Sequence, residues 1–181
     1  MDALLIQRMK QKMKTTYSWR PAKRLPLPPP NRKQLKKLIC RTAELAGLPA
    51  EDDWVADIRF VGDRTMAKMN ADFVGHEGTT DVITFSYFDD MDSFFPGDVG
   101  VELLICMEVA MREGIAREDS SFAEEMALYI AHGFLHASGE DDLTPAPRRR
   151  MRQREAEVMA QLRQEFDLEA IFGATIEPVK A

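Results

Sequence analysis

The stretch AHGFLHASGEDDLT, Ala131 to Thr144, organises everything around it: an apolar helix carries two imidazoles, stops at a glycine and turns back into acids. His132 and His136 stand four residues apart, so on a helix both rings lie on one face, one turn apart, and converge on one point. Gly139 suits the left-handed conformation that ends helices, and a reversal there carries Glu140, Asp141 or Asp142 toward the rings. Two imidazoles and a carboxylate form a zinc-type donor set with the fourth tetrahedral position left for water, which zinc acidifies from a pKa of about 15.7 to roughly 7. Burying imidazoles without partners costs about 1 to 3 kcal/mol each. Two of the chain's three histidines share this single turn, and a metal site accounts for that better than core packing does. The common zinc-peptidase helix places a glutamate directly after its first histidine as general base, whereas this chain has Gly133 there. Peptide hydrolysis by that route is disfavoured.

Upstream, Ser120 or Ser121 is the expected N-cap of the histidine helix, with Glu124 or Glu125 completing a capping box, and the helix runs to Ser138. Its uncharged part, Met126 to Gly139, is too short and too polar to span a bilayer, so it reads as a buried helix and no membrane association is expected. Downstream, Pro145 to Leu168 is a long amphipathic helix. Arg148, Arg149, Arg150, Arg152 and Arg154 crowd its start, where positive charge opposes the helix dipole; they either meet an anion or form a solvated face.

Farther upstream, Asn31 caps a helix whose Leu35, Leu38, Ile39, Thr42 and Leu45 follow the 3.6-residue period, with Gly47 at its end. Trp54 to Val61 is a strand, and Asp63 is the expected cap of a helix running to about Phe73. Asp81 to Tyr87 is a second strand, 89–98 an acidic loop, and Gly100 to Cys106 a third strand buried on both faces apart from Glu102. A short helix from Met107 to about Arg112 follows. The expected class is α/β (α+β): a small mixed β-sheet packed with helices, with the metal-binding helix followed by a reversing loop.

With 181 residues, 45% of them hydrophobic, the chain can bury one sizeable core. Its charge is divided: residues 1–41 hold 12 of the 24 lysines and arginines and a single acid, Asp2, giving a balance of +11 against −17 for the remainder. RLPLPPP at 24–30 cannot be helical, so residues 1–30 read as a flexible basic arm with a proline-rich linker, and residues 31–181 as one domain. A basic arm on an acidic body suits a polyanion such as nucleic acid; a solvated tail or an amphipathic targeting peptide at Met1 to Lys14 are the competing readings. No secretory signal is expected, since basic residues interrupt every apolar run. Cys40 and Cys106 read as reduced thiols of an intracellular, cytoplasmic protein.

HGFLHASGEDD, from His132 to Asp142, resembles the HGxLHLxGYxH or HGxLHLxGYxD signature of the YbeY family of single-strand-specific metallo-endoribonucleases, the rRNA maturation factors. TTDVITFSY (Thr79 to Tyr87) is similar to that family's TDVLSF strand, MNADF (Met69 to Phe73) to its LNxxY helix end, and VELLIC (Val101 to Cys106) to its GDIVIC strand. The likeness runs from Asn31 to Leu168. It implies one zinc ion per chain held by His132, His136 and Asp142. It further implies cleavage of single-stranded RNA, maturation of the 16S rRNA 3′ end and ribosome quality control, with the small ribosomal subunit and its proteins as partners. Two positions depart from the pattern: the arginine that follows LNxxY in many members is Val74, and the tyrosine after the zinc-segment glycine is Glu140. No residue is thereby assigned to general-base catalysis or to RNA contact. Asp81 and Glu102 either orient the water or, the favoured reading, are structural, while His76 stands in a loop from which it reaches the site as acid, base or RNA contact or is merely exposed. The rival readings are a zinc hydrolase of another substrate class and a non-catalytic assembly factor with structural zinc.

Overall fold

The computed structural model describes residues 13–23, 25, 27–49, 53–88 and 95–173. The amphipathic opening at 1–12 and most of the acidic loop, 89–94, lie outside these. The elements follow in the order β1 (Lys14–Trp19), α1 (Arg32–Ala46), β2 (Val55–Val61), α2 (Asp63–Met69) extended by a π-turn (Asn70–Val74), β3 (Val82–Ser86), β4 (Val99–Cys106), α3 (Met107–Ala116), α4 (Phe122–Ala137), α5 (Pro145–Glu165) and α6 (Leu168–Phe172). The four strands form one sheet in the order β1-β2-β4-β3, with β1, β2 and β4 parallel and β3 antiparallel at the edge. This is the mixed α/β sheet expected from the sequence.

Residues 14–19 depart from that expectation, since composition placed them in a basic arm ahead of a domain starting at Asn31. They form β1, paired with β2 from Lys14↔Val55 to Trp19↔Phe60. The cause is local propensity: Thr15, Thr16, Tyr17 and Trp19 are β-branched or aromatic. Tyr17 and Trp19 then pack on Phe60, with ring centroids 6.4 and 5.1 Å apart. Lys14, the basic residue of the strand, pairs with Asp53 at 3.0 Å.

One face of the sheet carries the main core. Ile58, Phe60, Leu103 and Ile105 meet Leu35, Leu38 and Ile39 of α1 and Met126, Ile130 and Phe134 of α4. The histidine helix is therefore the central layer-forming helix, and 10 of its residues are buried, from Ala123 to Leu135. The opposite face is covered over Val61, Ile83, Leu104 and Cys106 by Met66 of α2. Beyond that patch it bears a polar network, with Arg59 bridging Asp57 and Glu102 at 3.1 Å each. Residues alternate between faces along a strand, so Glu102 points away from α4 while its neighbour Leu103 points toward it. Glu102 is thus structural, tied to Arg59. Among the described residues no helix is long and apolar enough to cross a membrane.

Candidate metal centre

Ser121 caps α4, its Oγ accepting from the Glu124 N–H at 3.2 Å, and Glu125 turns back to accept from the Ser120 hydroxyl at 2.7 Å. The helix lies so close to the sheet that a Cβ on Gly133 would stand 2.7 Å from Leu103 Cδ2 and 3.2 Å from Thr84 Oγ1. Any side chain there would have to displace Leu103, and a glutamate more than an alanine. The glutamate that a zinc peptidase carries after its first histidine is therefore disfavoured here by packing. The Thr84 hydroxyl donates to the Gly133 carbonyl at 3.3 Å, fastening the helix to β3 at the turn between the two histidines.

At the C-terminus the Gly139 N–H donates to the His136 carbonyl and the Glu140 N–H to the Leu135 carbonyl, both at 3.0 Å, with Gly139 at φ +98°. This double closure around a left-handed residue satisfies the orphan carbonyls and reverses the chain. The reversal also chooses among the three acids. Glu140 sends its carboxylate to Arg150 at 2.8 Å, and Asp141 accepts from the Leu143 N–H at 3.0 Å, closing a turn. Asp142 is left facing the rings, with its Oδ1 3.9 Å from His136 Nε2.

His132, His136 and Asp142 each offer a ligand atom within 4.8 Å of the others, and the two Nε2 atoms are 3.0 Å apart. The outer nitrogens are engaged: His132 Nδ1–H donates to Glu155 Oε1 at 2.5 Å, and His136 Nδ1–H donates to the Glu140 carbonyl at 3.0 Å. With both Nδ1 atoms acting as donors, both Nε2 lone pairs point at one another. Two facing lone pairs at that separation repel unless a cation or a proton lies between them. The donor set therefore fits a divalent metal on chemical grounds. Burial by itself pushes the His132 imidazole down, but the Glu155 hydrogen bond and the nearby Asp81, Glu155 and Asp142 carboxylates outweigh it and leave the pKa raised.

Helix α5 frames the site from outside. Pro145 opens it, and Arg148 Nε donates to the Asp142 carbonyl at 2.9 Å. Arg150 holds Glu140, while Arg154 bonds Glu157 and the Leu45 carbonyl. Three of the five arginines, read from the sequence as meeting an anion or forming a solvated face, thus bond to the protein itself, two of them to the loop carrying Asp142. Arg149 and Arg152 remain exposed. Glu155, the partner of His132, went unrecognised in the sequence. Its signal was weak but real: of the two acids between Met151 and the pair Val158 and Met159, Glu155 is the one a full turn from each side, at the margin of the buried stripe of α5.

A groove of about 550 Å³ opens beside the rings, lined by His136, Thr84, Ser86, His76, Asn70 and Val74, among others. His76 is thus brought onto the same groove as His136. Val74 is exposed on its wall, and no lysine or arginine lines it among the described residues. Asp81 does not join the group: its carboxylate accepts from the Val82 N–H and the Thr80 hydroxyl, both at 2.9 Å. Neither cysteine belongs to it either; Cys106 is buried under α2 and Cys40 half-buried on α1.

The family profile described as Endoribonuclease YbeY matches residues 28–163. A Chlorobium luteolum protein named Endoribonuclease YbeY is 32% identical over 127 residues, covering 69% of this chain and 87% of the relative. A Rhodopirellula baltica protein of the same name is 38% identical over 105 residues; the match spans 56% of this chain but only half the length of that relative. In fold, the chain is similar to the solution structure of a Thermotoga maritima protein, with a TM-score of 0.51, 19% identity, and coverage of 93% of this chain and 99% of the other.

Proposed function

The chain belongs to the YbeY family of endoribonucleases, hydrolases acting on RNA, and from that premise we propose that it is a zinc-dependent, single-strand-specific enzyme working in the cytoplasm. Its ligands are His132, His136 and Asp142, and its task is maturation of the 16S rRNA 3′ end and ribosome quality control on the small subunit. The observation supporting this most directly is the pair of Nε2 atoms facing one another at 3.0 Å while both Nδ1 atoms are held by oxygen acceptors.

When bound, zinc supplies Lewis acidity toward a phosphoryl oxygen and toward water. The chain's own residues do the rest. His132 and His136 present neutral Nε2 donors, Glu155 and the Glu140 carbonyl keep their protons on Nδ1, and Asp142 contributes a negative charge that offsets part of the cation's. The groove beside His136 would receive the unpaired strand, with the hydroxyls and His76 that line it as its contacts. Val74, where many relatives carry arginine, gives this wall an apolar surface instead.

An open site favours catalysis over a structural staple. The ligand side chains keep 17% (His132), 28% (His136) and 39% (Asp142) of their surface exposed, and His136 lines the groove. A structural zinc is closed by four protein ligands. The test is cleavage of a single-stranded RNA, and of 3′-extended 16S rRNA in precursor subunits, by zinc-loaded protein and by His136→Ala. Wild type should cut and retain one zinc per chain, and the variant should do neither. Equal rates in the two would overturn the proposal, as would wild-type activity that survives complete chelation.

A further inference from the structure

Glu155 lies 23 positions beyond His132, on a different helix, yet it makes the shortest polar contact of the site, 2.5 Å from its Oε1 to His132 Nδ1. Its place is determined by packing. Met151 is one turn before it, and Val158 and Met159 are one turn after; all three are buried, so the α5 stripe carrying Glu155 is pressed onto α4 and α1. The carboxylate sits at the margin of that stripe with 20% of its side chain exposed, opposite an imidazole exposed by 17%. Arg154 and Arg150 on the same helix bond elsewhere, to Glu157, Leu45 and Glu140, so neither competes for it.

An ionised carboxylate only accepts hydrogen bonds, so the proton of this contact resides on the histidine. In water a neutral imidazole distributes its proton between both nitrogens, and a metal binds only the unprotonated one. We propose that Glu155 is a positioning residue. Its carboxylate fixes His132 as the Nδ1–H tautomer with the ring edge-on to His136, so that Nε2 is the atom presented to the metal. This rests on the metal reading above and extends it to a residue outside the three ligands. It also gives α5 a task in the site: the helix supplies the outer partner of His132 through Glu155, and that of His136 indirectly, through Arg150 on Glu140.

The test compares Glu155→Gln and Glu155→Ala with wild type in two measurements. The first is zinc affinity, by competition with a chromophoric chelator at one pH. Removal of such an outer carboxylate lowers metal affinity about 10- to 100-fold. Glu155→Ala should fall in that range and Glu155→Gln should lose less, since its side-chain carbonyl still accepts. The second is the nitrogen NMR spectrum of His132 in metal-free protein under mildly alkaline conditions. Wild type should show Nδ1 protonated, and Glu155→Ala should shift toward the Nε2–H form. Unchanged affinity and tautomer, with only the melting temperature lowered, would overturn the proposal and reduce Glu155 to a helix fastener. Unchanged affinity with a lowered turnover number would also overturn it, pointing instead to proton transfer. If wild type itself bound no zinc, the metal reading would fall, while the His132 spectrum would still decide the tautomer claim.

Discussion

Replacing Gly133 by alanine sets two effects of opposite sign against each other. In a solvent-facing helix, Gly→Ala stabilises by about 1 kcal/mol, because glycine has more backbone entropy to lose. At this position the new Cβ would stand 2.7 and 3.0 Å from the two Leu103 methyls and 3.2 Å from Thr84 Oγ1. Ordinary carbon contacts are about 3.5 to 4.0 Å, so one partner must retreat by roughly an ångström. Leu103 is wholly buried in the centre of the sheet and cannot swing into solvent. Overpacking of this kind costs about 1 to 3 kcal/mol, which outweighs the propensity gain, for a net loss of up to about 2 kcal/mol. For a chain of this size that corresponds to a melting temperature lower by roughly 4 to 8 °C. Thermal and urea unfolding of metal-free Gly133→Ala measure it, and the double variant with Leu103→Ala should recover the propensity gain relative to Leu103→Ala alone. A Gly133→Ala protein more stable than wild type would refute the claim that α4 is seated on the sheet at this residue, and with it the packing reason for the lack of a glutamate after His132.

Three further outcomes are expected. Asp142→Asn should lower zinc affinity by at least about tenfold, since it removes the one anionic donor of a three-ligand site; Asp142→His should retain zinc, and equilibrium dialysis distinguishes the two. A chain beginning at Asn31 should be less stable by several kcal/mol and prone to aggregation, because it removes β1, uncovers the β2 edge and exposes Phe60 where Tyr17 and Trp19 packed; a soluble protein with unchanged urea midpoint would contradict this. Burial, assisted by the Asp63 carboxylate, pushes the Cys106 thiol up to about 12 from an ordinary 9.0. A raised folded pKa means the stability from the neutral thiol is complete below pH 9 and is lost as pH climbs toward 12. Iodoacetamide at neutral pH should therefore modify Cys40 and spare Cys106, and stability should decline across that alkaline window less steeply in Cys106→Ala.

Some of this protein was written in short-range chemistry. The spacing of His132 and His136, the cap at Ser121 and the left-handed Gly139 each depend on residues within about one helical turn, so the histidine helix and its reversal were legible from the sequence. So were α1, β2, β3 and β4, whose apolar periods match the faces they bury. The basic residues misled in two places, because charge records what a side chain carries and not what it meets. Around Lys14 they masked a strand of threonines and aromatics, and at Arg148 and Arg150 they suggested an outside anion where the acceptors are the Asp142 carbonyl and the Glu140 carboxylate.

The sequence by itself determined a pair of imidazoles on one helical face followed by a turn into acids, because backbone periodicity and glycine's left-handed freedom are properties of consecutive residues. Only the tertiary structure decided how Glu140 and Asp141 are drawn off to leave Asp142 facing the rings, that Glu155, 23 positions away on another helix, holds His132, and that Gly133 is pressed against the sheet. Those depend on where α5 and β4 come to rest against α4. That is settled by burial summed over the whole core, and no local stretch of residues encodes it.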